Sequence, residues 1–95
     1  MPELNPQQFA MQFEPALAFD IPVDSWDEAA DFIDQESELE GYDMEGLTSS
    51  IREEGIREPV RVTDFDAGSA VVDGHHRVVA AMRTGRPIPY RKFGG

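Results

Sequence analysis

Between Val71 and Met82 the sequence VVDGHHRVVAAM passes from a β-branched run to a helix-forming run through a single glycine. That junction constrains the fold more than any other stretch. Val71 and Val72 read as the end of a strand, and Gly74 supplies the turn a side chain would hinder. HHRVVAAMRT then reads as a short helix closed by Gly85. Val78, Val79, Ala80, Ala81 and Met82 are its core positions, the small alanines letting it pack close to a sheet. A helix that starts at such a turn presents free backbone amides and the positive end of its dipole, a ready site for an anion. His75, His76 and Arg77 add polar side chains at that spot, and a guanidinium grips a phosphate through two parallel hydrogen bonds.

Several readings of these residues stay open from the sequence. His75 and His76, with Asp73, are weak metal candidates, because adjacent helical residues diverge by about 100° and converge poorly on one ion. Arg77 is a phosphate ligand or a salt-bridge partner of Asp73, Glu53 or Glu54. Asp73 is a candidate general base or a turn-forming aspartate. The whole group could also be ordinary polar residues at a helix start.

The flanking segments extend the pattern. REPVRVT, with Val60 and Val62 alternating with Arg61, is a strand entered through Pro59, and DFDAGS is the turn of a hairpin that returns through AVV. IPYRK is a final strand with Ile88 and Tyr90 facing one way. Upstream, Ser25 and Glu28 have capping-box spacing, and Trp26, Ala29, Ala30 and Ile33 recur at helical spacing until Gly41. Met44, Leu47 and Ile51 mark a second helix over about 43–54. ALAFDIPV alternates as a strand over 17–23, whereas residues 1–16, rich in Gln and Pro, are expected to be poorly ordered. The expected order is β-α-α-β-β-α-β, a compact α+β fold over residues 17–95.

Ninety-five residues allow one thin core. With no cysteine, no disulfide, thiolate metal site or thiol nucleophile is available. No secretory signal and no membrane span are expected, and the chain reads as a soluble cytoplasmic protein. The net charge is −11, and it is divided unevenly. Residues 1–50 carry thirteen acids and no Lys or Arg; residues 51–95 carry all eight bases and six acids. Such a chain repels nucleic-acid phosphates, so direct DNA binding is not expected without a partner. The acidic helical region, about residues 27–45, is either a solvated surface, a docking site for a basic protein or a nucleic-acid mimic.

Taken together, LTSSI at 47–51, GIREPVRV at 55–62, VDGHHRVVAA at 72–81 and GRPIPYR at 85–91 resemble the ParB N-terminal-like (ParB-like nuclease) domain of the ParB/sulfiredoxin superfamily. The resemblance implies that fold and a nucleotide or phosphate cradle at Gly74, His75, His76 and Arg77, with Asp73 just before it. It implies CTP or ATP as ligand, with Mg²⁺ as a companion ion, and weak nucleotide-hydrolysing or nuclease activity within the family's range. Two departures matter. Sulfiredoxin's catalytic cysteine falls at His75, so sulfinic-acid reduction is excluded. ESELEGYDMEGL, at 36–47, lacks the arginine that many partition proteins carry ahead of the second helix, leaving Arg57, Arg61 or Arg86 to supply positive charge. The helix-turn-helix and dimerisation segments of partition proteins are not in this sequence, so a DNA-sliding clamp is not expected of it alone. The alternative reading is a non-enzymatic interaction protein that uses the acidic helix.

Overall fold

A computed structural model describes residues 2–16, 25–65 and 68–92. It is an α+β domain with the element order β1 (Glu3–Leu4), α1 (Pro6–Gln12), β2 (Phe13–Pro15), α2 (Trp26–Glu40), α3 (Met44–Glu54), β3 (Val60–Phe65), β4 (Gly68–Asp73), α4 (His75–Thr84) and β5 (Ile88–Lys92). The strands form one sheet in the order β1-β5-β3-β4-β2. The β3–β4 hairpin and the β1–β5 pair are antiparallel; β3–β5 and β2–β4 are parallel.

Local chemistry sets the helix ends. The Ser25 hydroxyl accepts from the Glu28 amide at 3.2 Å, and α2 closes at Gly41 in the left-handed conformation. Asp43 caps α3 through the Gly46 amide at 2.9 Å. At the far end of α3 the Arg86 guanidinium donates to the carbonyls of Arg52 and Glu53 at 2.6–3.2 Å. Those carbonyls have no partner within the helix, so a cation there satisfies them and opposes the dipole.

α4 is the hub. Val78, Val79, Ala80 and Ala81 are almost wholly buried, and the helix packs on β3 and against each of the other three helices. Val60, Val62, Val71 and Ile88 supply the sheet side of the core, with Ile33 and Ile51 from α2 and α3. Strand alternation sends Arg61 the other way, beside Arg91 in the parallel β3–β5 register.

Residues 1–16, expected to be poorly ordered, contain β1, α1 and β2. Asn5 caps α1 through the Gln8 amide at 2.9 Å, and Pro6 occupies its first position. Phe9 is fully buried and forms an aromatic cluster with Phe13, Trp26 and Tyr90 at ring separations of 4.9–6.3 Å. The Trp26 indole donates to the Phe13 carbonyl at 2.8 Å, which ties α2 to β2. The burial of these rings orders a segment whose own helix is too short to show periodicity. The strand expected over 17–23 lies outside the described residues. No helix among the described residues is long and apolar enough to cross a membrane.

Candidate functional site

The site begins at Gly74, where β4 stops and α4 starts. Its backbone is left-handed, with φ of 99° and ψ of 22°. A methyl group there would lie 2.8 Å from Val60 Cγ1 and 2.9 Å from an Arg77 guanidinium nitrogen. Glycine is therefore required twice, for backbone conformation and for the close approach of β3. The Gly74 carbonyl accepts from the Val78 amide at 3.0 Å, closing the first turn. Gly74, having no side chain, gives this helix start no side-chain cap of its own.

The next three side chains fan out from that turn. His75 points inward and is 9% exposed, with its ring 5.9 Å from Trp26. Its Nε2 accepts from the Ala16 amide at 3.0 Å, so the neutral ring carries its proton on Nδ1. Burial, reinforced by His76, pushes its pKa down to about 4 against the pull of Asp73 and a Val71 backbone hydrogen bond. The His75 side chain therefore faces the core, and only its backbone amide lies at the helix start. His76 sits at the surface, 4.8 Å from the Tyr42 ring. Arg77 turns toward β3, donating to the Glu58 carbonyl at 2.8 Å and lying 3.7 Å from both the Glu58 and Asp73 carboxylates.

Arg77 lines a cleft of about 190 Å³ together with Glu58, Pro59, Arg61, Asp73 and Arg91. Three arginines face two carboxylates there. The two 3.7 Å ion pairs are long beside the roughly 2.7–2.9 Å of a tight charge-assisted bond, so the firm anchor of Arg77 is the Glu58 carbonyl. Of the three supporting arginines, only Arg61 lines the cleft. Arg57 pairs with Glu54 at 3.0 Å on an exposed stretch, and Arg86 caps α3. Arg91 is the residue missed by reasoning from the sequence. Alternation in IPYRK separates it from Ile88 and Tyr90, but its place beside Arg61 depends on a parallel register that no local signal reveals.

Asp73, the candidate general base, pairs in register with Arg61 across the hairpin and sits 3.7 Å from Arg77. Asp64 is on the same strand as Arg61 but is held by the Ser69 hydroxyl and the Lys92 ammonium, which keep its carboxyl below the usual range. Asp66 lies outside the described residues. Among the described residues, no three His, Asp or Glu side chains come together to hold a metal ion. The weak metal candidates separate, with His75 turned into the core, His76 against Tyr42 and Asp73 beside Arg77.

The buried imidazole has a consequence for stability. In the unfolded chain His75 takes up a proton below its ordinary pKa of 6.5, whereas the folded ring resists protonation down to about 4. Between those values the unfolded state binds more protons, so stability falls as pH falls and levels off below the folded pKa. The expected loss between about pH 7 and pH 5 is about 2 kcal/mol. Urea unfolding at the two pH values measures it. In His75→Gln that step should disappear; a step of full size in the variant would assign it to another group. No protein-family profile, no characterised protein and no solved structure matches the chain.

Proposed function

We propose that this chain is a ParB/sulfiredoxin-like domain that binds the phosphate of a nucleotide or of a nucleic acid at the start of α4. The observation that carries the reading is a helix started by Gly74 beside a cleft lined by Arg61, Arg77 and Arg91. Backbone amides and the helix dipole supply one half of such a site, and guanidinium groups the other. At about 190 Å³ the cleft has room for a phosphate group and not for a whole nucleotide. The base and sugar of CTP or ATP would therefore lie outside it, with Mg²⁺ neutralising the phosphate oxygens that the arginines do not reach. Weak hydrolysis of nucleotide or nucleic acid would fall to Asp73, the carboxylate nearest the helix start.

Isothermal titration with CTP, ATP, GTP and inorganic phosphate, each with and without Mg²⁺, tests the proposal. At least one ligand should bind, and Arg91→Ala, a change at an exposed position, should weaken it roughly 10-fold through loss of a charge-assisted contact. Arg77→Ala should weaken it further, with circular dichroism to confirm that the fold survives loss of the Glu58 hydrogen bond. The proposal is rejected if none of the ligands binds, or if binding is unchanged in both variants.

A further inference from the structure

A second surface, on the side of α2 turned away from the core, carries a different chemistry. The buried stripe of α2 is Trp26, Ala29, Ile33 and Ser37. Phe32 and Leu39, seven residues apart, form another apolar stripe roughly 120° around the helix from it. Leu39 is 89% exposed, and Phe32 is partly exposed and stands outside the buried cluster. Tyr42, 47% exposed just beyond Gly41, packs on His76 and stands apart from this stripe. Single exposed leucines are common on protein surfaces, but an apolar stripe in register along a helix is not explained by solubility.

Charge identifies what fits this stripe. Glu28 borders it on one side and Glu36 on the other, and α2 contains no Lys, Arg or His. Asp34 is not part of the surface, because its carboxylate is engaged by Arg83 at 2.6 Å. Apolar side chains framed on both sides by one sign of charge match a segment with the opposite frame. We propose that the outward face of α2 docks a basic amphipathic helix of a partner protein, its apolar side chains on Phe32 and Leu39 and its Lys or Arg residues against the flanking acids. A second copy of this chain fits poorly, since two such faces repel each other. Anionic lipid is repelled likewise. The surface is separate from the α4 cleft and does not depend on phosphate binding there.

Two fluorescein-labelled peptides test the docking surface. One is a helical peptide of leucine and lysine with all leucines on one face; the other keeps every lysine and replaces each leucine with glutamine. The first should raise the anisotropy of the label on titration with the full chain and shift backbone amide signals of residues 31–42. The glutamine peptide should bind at least about 10-fold more weakly, because it lacks the apolar contact. Leu39→Glu, at a position too exposed to endanger the fold, should weaken the leucine peptide by about 10-fold or more. Glu36→Lys should weaken it as well. Equal binding of the two peptides, unchanged binding in Leu39→Glu, or amide shifts centred elsewhere would overturn the proposal. So would a dimer of the chain alone, seen by sedimentation and abolished by Leu39→Glu, since a second copy would then cover this face.

Discussion

Phe9→Ala is expected to destabilise the domain by about 3–5 kcal/mol, the usual cost of removing a fully buried phenylalanine. A domain of this size is stable by only about 5–15 kcal/mol, so the change approaches the limit of what the fold tolerates. The size follows from where the ring sits. Phe9 is inaccessible to solvent and touches the rings of Phe13, Trp26 and Tyr90, which come from β2, α2 and β5. Alanine would leave a cavity shared by three elements, none of which can collapse into it without moving the others. Met11 provides the control. It lies on the same helix but is 87% exposed, so Met11→Ala should stay within about 0.5 kcal/mol of the parent. Urea unfolding of the two variants separates packing from helix propensity, which changes little in either. A Phe9→Ala variant as stable as the parent would mean that residues 2–16 do not pack on the core in solution.

That segment marks the boundary of what the residues announce locally. α2 is legible because its start and stop are side-chain and glycine chemistry: Ser25 with Glu28 at one end, Gly41 at the other. The same holds for α3 between Asp43 and Gly55, and for α4 between Gly74 and Gly85. α1 has only seven residues, and β1 is a two-residue strand that exists through its pairing with β5. Such elements depend on tertiary contacts, which local periodicity does not record.

The candidate site divides in the same way. Gly74 and Arg77 could be read from the turn, since a strand followed at once by a helix needs a glycine and places polar residues at the helix start. His75 also carried a signal. It stands three and four residues before Val78 and Val79, on their buried stripe, and that spacing points an imidazole inward rather than at a ligand. Arg86 and Arg91 carried none. One acts on the end of a helix thirty-odd residues earlier in the chain, and the other joins the cleft through strand pairing. Acidic α2 was legible as a charge pattern, but its second apolar stripe emerges only once the buried face is known.

Gly74→Ala joins the fold to the candidate site, and it is expected to lower stability by about 2–5 kcal/mol. Two costs add. Holding a non-glycine residue at φ of 99° costs about 1–2 kcal/mol, because its Cβ crowds the neighbouring carbonyl. The new methyl group also meets Val60 Cγ1 at 2.8 Å, and Val60 is a fully buried residue of a central strand with no room to retreat. Overpacking of that kind adds about 1–3 kcal/mol. A double-mutant cycle with Val60→Ala separates the two. Shortening Val60 removes the 2.8 Å contact, leaving its Cβ at 3.1 Å and the backbone cost, so the pair should be more stable than the sum of the single changes by about 1–2 kcal/mol. Strict additivity would show that the approach of β3 does not set the requirement for glycine. The same methyl group lies 2.9 Å from the Arg77 guanidinium, a flexible end that yields by leaving the Glu58 carbonyl. Phosphate affinity in Gly74→Ala should therefore fall along with stability. In Val60→Ala, where Arg77 keeps its place, affinity should hold while stability falls, and that contrast separates damage to the cleft from damage to the core.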